Sequence, residues 1–580
     1  MSMSSPLISR DLLEFQLFDW LQIDKNAAVD RDTALAILDM AGRLASDAFL
    51  THYRKADEHE PVLEGGRARV LPEVARALHQ YAELGLFGAS FPEEHGGLGL
   101  PGALASGIQA IFASANVATS GYALLTAANA RLISEFGSPE QVNTFALPQI
   151  EGRWFGTMCL SEPQAGSSLG DITSRAVFDA DDGLGTRYRI TGNKMWISGG
   201  DQDISENIVH LVLAKAAAPG VDLPSGTRGI SLFIVPKILP DGSRNDIAIA
   251  GLNHKMGNRG TTNCLLNFGE QDGAVGWRVG GEGEGLAQMF MMMNEARIGV
   301  GIGAAALGYR GYRHAVTYAK ERKQGRRLGE SSTGAVAIID HPDVRRMLLQ
   351  QKSYSEIALA ICLYCAHLQG QSDDEARSLL GLLTPVAKSW PSEFCLVAND
   401  LAIQVHGGYG YTRDFDVEQV WRDNRLNAIH EGTAGIQALD LLGRKILRSD
   451  GAALHGLKSR IADTIHQAST RDTFVDQADR LGSYWEQVEA VTQRLSERPG
   501  AGAYNDATMF LRAFGHGVAA WLWLDLALRA EQMPGAAACA GYAEVLRYFY
   551  ESELPIARAW LDVVDTHACV HAAAPAAVFD

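Results

Sequence analysis

A carboxylate set directly before a glycine can meet a substrate at close range, and Glu431 stands in such a place, between His430 and the small pair Gly432–Thr433. Glycine lets another molecule approach the backbone closely, and partial desolvation lifts a carboxylate's proton affinity above the roughly 4.3 of a free Glu. The chemistry within reach is general-base removal of a proton. Upstream, the glycine-rich turn His406–Gly410 follows a helical run. The segment after it reads as an amphipathic helix carrying Glu418, Arg422, Asp423 and Arg425. Taken alone, these residues fit a turn with a solvated carboxylate as well, because perturbed carboxylates are the minority.

Three more segments stand in a fixed order with this one. MCLSEPQAGSS occupies 158–168, KMWISGG occupies 194–200, and QVHGGYGYTRDFDVEQVWRD leads from Gln404 into AIHEGTAGIQ at 428–437. Together they resemble the acyl-CoA dehydrogenase family, whose signature I-Y-E-G-T-x-x-I-Q the last segment matches apart from His430. ASFPEEHGG at 89–97 resembles that family's entry loop to the substrate region. The resemblance covers roughly residues 40–450.

The resemblance implies an FAD-dependent α,β-dehydrogenation of an acyl-CoA thioester to the trans-2-enoyl-CoA, as in fatty-acid β-oxidation, with Glu431 as the base. It implies flavin contacts from Leu160, Ser161, Trp196 and Ser198. Arg322, Gln404, Gly407 and Gly408 would reach a flavin diphosphate across a subunit interface, which makes a dimer the minimum assembly, and Thr433 would meet the adenosine side. Ser167, Asn294, Arg297 and Gly432 would lie toward the acyl-CoA. Electrons would pass to an electron-transferring flavoprotein. Several positions depart from the family: His430 replaces a tyrosine, Gly435 a frequent glutamine, and Lys323-Gln324-Gly325 after Arg322 lack an expected aromatic. Ala296 removes the alternative base position that some members use. Two other readings stay open: an acyl-CoA oxidase that uses oxygen, and a nucleic-acid-associated flavoprotein with little dehydrogenase activity.

Composition bounds these readings. The net charge of −17 argues against a surface built to hold nucleic acid or anionic lipid, and residues 449–580 are not dominated by Lys or Arg. The opening MSMSSPLISRDLLEF lacks a cationic start followed by an apolar run, so no secretory signal is expected. No run of about 18 apolar residues is read, and no membrane span is expected. Seven cysteines without a framework suit a reducing, cytoplasmic location. Cys362 and Cys365 form a CxxC inside a helical pattern, without a companion pair, and read as core residues. No metal site is expected.

The elements that must hold these residues follow from periodicity. Residues 1–38 form an amphipathic extension, able to lie on the main body or on a partner subunit, and 39–151 read as an N-terminal helical domain with apolar positions three and four apart. At 152–284 the period changes to short Val-, Ile- and aromatic-rich strands between Gly, Asp and Pro turns, a β-barrel-like domain. Residues 285–448 read as a bundle of long helices, and 449–580 as a further helical module for packing and subunit contact. The fold class expected is α+β multidomain. GVGIGA at 299–304 lacks a preceding strand, so it fails as a dinucleotide fingerprint. Its small residues instead predict close helix–helix packing.

Overall fold

The computed structural model describes residues 5–25, 29–217, 221–327, 329, 334–498, 500–533, 536–566 and 569–580. The chain divides into a mixed unit, Ala27–Ala296, and a helical unit in which Arg297–Asp580 is joined by Met1–Asn26. The order of helices, sheet and helices expected from the sequence is present.

The mixed unit opens with α1 (Arg31–Leu44), α2 (Pro72–Glu83) and α3 (Gly102–Phe136). Between α1 and α2 lies a small hairpin, β1 (Val62–Glu64) with β2 (Arg67–Arg69), where only helix was expected. The alanine-rich α3 is broken once, at Asn116 (φ −160°, ψ 92°). The Asn116 carboxamide accepts from the Thr119 amide at 3.1 Å and donates to the Phe49 carbonyl at 3.2 Å, so it starts a new helical run as an N-cap does. Contrary to the sequence reading, α3 is long and apolar enough to cross a membrane on length and composition. Of its most apolar window 67% is buried inside the protein, the setting of a core helix.

The strands are β3 (Trp154–Cys159), β4 (Arg175–Asp182), β5 (Gly185–Ser198), β6 (Asn207–Ala216), β7 (Ile230–Pro236), β8 (Ile247–Leu252), β9 (Asn263–Phe268) and β10 (Ala274–Val279). β10 pairs with both β7 and β5, which closes β10–β7–β6–β4–β5 into a ring; β9 and β8 extend from β5. Side chains alternate across β6 and β7. Val209, Leu211, Leu213, Ile230, Leu232 and Ile234 pack with Leu132, Ile133 and Phe145 of the helical layer. Val212, Ala214, Phe233 and Val235 pack on the opposite face with Tyr188 and Ile190. Both faces are therefore apolar, as the near-continuous hydrophobic runs require.

In α4 (Gly285–Glu321) the boundary between units falls after Ala296. The helical unit continues with α5 (Pro342–Gln369), α6 (Asp374–His406), α7 (Val417–Arg425) and α8 (Ala434–Leu439). The C-terminal module adds α9 (Ala452–Ser469), α10 (Val475–Ser496), α11 (Ala507–Glu531), α12 (Ala536–Tyr548) and α13 (Leu554–Thr566). The small residues of α4 do serve close packing. A Cβ at Gly308 would lie 2.7 Å from the Cys395 Cβ, and one at Gly301 would run into the Ala387 carbonyl. Pro391 lies inside α6; it has no N–H to offer the carbonyl four residues back. The Ala387 carbonyl accepts from the Cys362 thiol instead. Cys362 and Cys365 are both buried core residues.

The N-terminal segment packs within the helical unit. Trp20 Nε1 donates to Asp525 at 2.7 Å, Gln16 Nε2 to the Glu356 carbonyl at 3.1 Å, and Leu13 and Leu17 are fully buried. A Gly301→Ala variant is expected to lose about 1–3 kcal/mol through overpacking against α6, read as a lower urea midpoint by tryptophan fluorescence; an unchanged midpoint would contradict this packing.

Candidate active site

In the mixed unit, the loop SEPQAGSS and the strand carrying Trp196 are tied together by one buried carboxylate. Glu162 accepts from the Thr173 amide and hydroxyl at 2.7 and 2.9 Å, from the Ser174 amide and hydroxyl at 3.1 and 2.6 Å, from Gln164 at 2.8 Å and from Lys194 Nζ at 2.9 Å. Both side chains of the Lys194–Glu162 pair are buried. Burial opposes the charge on Glu162, but the Lys194 ammonium and the Ser174 and Thr173 donors hold its carboxyl down to about 2. Lys194 Nζ also donates to the Leu160 carbonyl at 3.0 Å, and the Met195 amide to the Ser161 carbonyl at 3.0 Å. Leu160, Ser161 and Trp196 are thus brought into one corner.

Trp196 itself sits in a β-bulge of β5, where the register with β9 shifts between Lys194 and Ile197. Its φ is +67° and it is 59% exposed. An aromatic side chain held outward in left-handed backbone is strained by about 1–3 kcal/mol. Two residues on, Ser198 Oγ accepts from Asn263 Nδ2 at 3.1 Å. Ser167 is exposed on the SEPQAGSS loop, and Asn294 is half-buried on α4.

In the helical unit, α7 and a short turn end at Ile429, and the chain then passes two left-handed residues before α8: Glu431 (φ +52°) and Gly432 (φ +90°). A Cβ at Gly432 would lie 2.7 Å from Gln437 Nε2, which donates to the Glu431 carbonyl at 2.9 Å. Beneath this turn, Lys388 of α6 is fully buried and donates from Nζ to the Gly432 carbonyl at 2.7 Å. Burial depresses Lys388 to about 8, partly offset by Glu431. Burial also raises Glu431, against the pull of Lys388 and Arg297. Among the described residues, no donor lies within hydrogen-bond distance of the Glu431 carboxylate. It is a half-buried carboxylate whose proton affinity is raised.

Arg297 is buried and pairs with Asp440 at 2.8 Å, which ties α4 to the segment after α8. Arg297 Nε and Gln437 Oε1 are buried polar atoms without a protein partner. Thr433 starts α8 with an exposed side chain.

A second group gathers where α6 ends. Tyr318 of α4 stacks on His406, ring centres 4.4 Å apart, and Arg322 is exposed one turn beyond Tyr318. Gln404, Gly407 and Gly408 are exposed beside His406, and space is open where side chains at Gly407 and Gly408 would stand. After Arg322 the chain folds back, with the Gln324 amide donating to the Val336 carbonyl at 2.9 Å. Such exposed guanidinium and bare backbone suit a phosphate group.

The site residues named from sequence therefore form three groups: Leu160, Ser161, Trp196 and Ser198 in the mixed unit; Arg297, Glu431 and Gly432 around Lys388; and Arg322, Gln404, Gly407 and Gly408 around His406. Thr433 continues the Glu431 turn, its carbonyl accepting from the Gln437 amide at 3.0 Å; among the described residues no side-chain hydrogen bond joins Ser167 or Asn294 to these groups. Lys388, Glu162 and Lys194 escaped the sequence reading, as did Glu295. The last is half-buried beside Ala296 and ion-paired with Arg131 at 3.0 Å, so it is not a free second base. A lysine in the apolar run LLGLLTPVAKSW was the one visible signal.

With this geometry in hand, comparison with known proteins is direct. The chain matches "Acyl-CoA dehydrogenase, N-terminal domain" over 31–153, the family's "middle domain" over 157–270, its "C-terminal domain" over 283–447, and "Acetyl-CoA dehydrogenase C-terminal like" over 457–574. It is 38% identical to the 3-methylmercaptopropionyl-CoA dehydrogenase of Ruegeria pomeroyi over 464 residues, 77% of each chain. It is 32% identical to the broad-specificity linear acyl-CoA dehydrogenase FadE5 of Mycobacterium tuberculosis over 581 residues, 94% of this chain and 93% of that one. Its fold matches an acyl-CoA dehydrogenase of Bacillus anthracis, solved with FAD, at TM-score 0.75 and 20% identity, covering 95% of this chain and 91% of the other. The chain belongs to the acyl-CoA dehydrogenase family, and it is an enzyme of that kind.

Two outcomes follow from the buried charges. Lys388→Met removes a cation that favours the Glu431 carboxylate, so the acid limb of the kcat/KM profile of the enzyme is expected to move to higher pH; an unmoved limb would refute the coupling. Glu162→Gln leaves the Lys194 ammonium buried without its partner and lowers stability by about 3–5 kcal/mol, and a Glu162→Gln/Lys194→Met double variant regains much of it, both read by thermal unfolding.

Proposed function

We propose that the protein catalyses FAD-dependent α,β-dehydrogenation of an acyl-CoA thioester to the trans-2-enoyl-CoA, with Glu431 taking the α-proton. The observation that carries this reading is the Glu431 carboxylate: set on a left-handed turn, without a hydrogen-bond donor among the described residues, shielded enough to raise its proton affinity, and bordered by a glycine. A base of this kind is most effective when its proton affinity approaches the working pH. Its activity falls as pH drops through that raised value, where the carboxylate becomes protonated. Gly432 leaves room for the thioester end of the substrate, and the Glu431 backbone amide is suited to stabilise charge that develops on the thioester oxygen.

The residues present fit FAD. Trp196 offers an exposed indole face, Leu160, Ser161 and Ser198 offer polar groups at the same corner, and Arg322 with Gln404, Gly407 and Gly408 suits a diphosphate. Thr433 suits the adenosine side; Ser167, Asn294 and Arg297 suit the acyl-CoA. When bound, the flavin accepts the β-hydrogen as hydride. An electron-transferring flavoprotein is the proposed acceptor of the electrons, an assembly of at least two copies completes the diphosphate contacts, and fatty-acid β-oxidation in the cytoplasm is the proposed setting.

Glu431→Gln tests the assignment. It is expected to keep FAD and lose flavin reduction by about 10²–10⁴-fold or more in anaerobic stopped-flow with acyl-CoA; near-normal reduction would overturn it.

A further inference from the structure

Behind the Glu431 turn runs a chain of carboxamides with one fixed direction. Asn399 of α6 donates from Nδ2 to the Leu307 carbonyl of α4 at 2.9 Å. Asn424 of α7 donates from Nδ2 to Asn399 Oδ1 at 2.6 Å and to the Ala304 carbonyl at 3.4 Å. Asn427 donates from Nδ2 to Asn424 Oδ1 at 3.0 Å, and His430 Nε2 lies 3.1 Å from Asn427 Oδ1. Asn399, Asn424 and Asn427 are all buried.

The chain cannot run the other way. Backbone carbonyls only accept, so the Leu307 and Ala304 oxygens oblige Asn399 and Asn424 to present nitrogen to them. Asn399 Oδ1 is then left to accept from Asn424, Asn424 Oδ1 from Asn427, and Asn427 Oδ1 from His430. The last link must therefore be His430 Nε2–H donating. In a neutral imidazole that leaves Nδ1 as a bare acceptor.

We propose that His430 is a positioning residue for the base: the Asn399–Asn424–Asn427 chain locks its imidazole as the Nε2–H tautomer and so pins the residue before Glu431 to α4, α6 and α7. The inference rests on the reading of Glu431 as the base. The charged groups around the turn are Lys388 from α6, Arg297 from α4 and Glu431 itself. Burial, then the Lys388 ammonium, push His430 down to about 3, so it stays neutral at working pH. The device also ties the turn to α4, α6 and α7 without placing a charge there.

The test uses full-length holoenzyme carrying ¹⁵N-histidine, with the His430 signals assigned by their loss in His430→Phe. Between pH 6 and 8, wild type is expected to show a protonated Nε2, a bare Nδ1 and no titration. An Nδ1–H form, a mixture or an imidazolium in that range would overturn the proposal. This readout needs no substrate, so it stands or falls apart from the proposed reaction. Asn427→Ala removes the last acceptor. It is expected to populate the Nδ1–H form and, as the turn before the base loses its anchor, to reduce kcat about tenfold, with KM and FAD content unchanged. A variant that populates the Nδ1–H form yet keeps the wild-type kcat would also overturn it.

Discussion

The buried ammonium of Lys388 on the Gly432 carbonyl is the contact on which the rest of the helical unit's site depends. It lies under two consecutive left-handed residues, one of them a glutamate, and such backbone persists only where the surroundings over-determine it. Gln437 holds the same turn from the other side through the Glu431 carbonyl. The result is a carboxylate aimed by its backbone and not by hydrogen bonds to its own oxygens. Its proton affinity is then set by a balance of burial against two fixed cations, Lys388 and Arg297. Burial wins, which is the direction a base requires.

The mixed unit solves a different problem with opposite means. There the carboxylate Glu162 is saturated with donors and paired with Lys194, which makes it inert and structural. Its work is to bind the SEPQAGSS loop to the strand on which Trp196 is turned outward. One buried carboxylate rich in donors builds a rigid corner; another, without a donor among the described residues, has its proton affinity raised. Environment, and not residue type, separates the two roles.

The large divisions of the chain were legible because they rest on periodicity. Alternation in NIVHLVLAKA and ISLFIVP needs two apolar faces, and the ring of strands provides them. The small residues of GVGIGA were legible as a packing stripe, and within it Gly301 does face the α6 backbone at Ala387. What stayed hidden depends on contacts between distant segments. The motif residues Glu431, Trp196 and Arg322 could be named, but nothing local marks Lys388 as lying under Gly432, 44 residues away in sequence. The carboxamide chain is likewise spread over three helices. Arg297 was named for the thioester end, and its main partner is Asp440, an anchor that spacing does not reveal. The hairpin at 62–69 was missed because VLEGGRAR carries only three residues on each side of its glycine turn, too few to set a period. The break at Asn116 was missed because Phe49, whose carbonyl accepts from the Asn116 carboxamide, lies on another segment.

The most direct measurement of the central claim is an anaerobic visible spectrum of the purified flavoprotein, titrated with short-, medium- and long-chain acyl-CoAs and with methylmercaptopropionyl-CoA. The account predicts a bound flavin whose absorbance bleaches stoichiometrically with at least one of them, with the matching enoyl-CoA as product. A bound flavin that none of them reduces, or a protein that takes up no FAD, would contradict it.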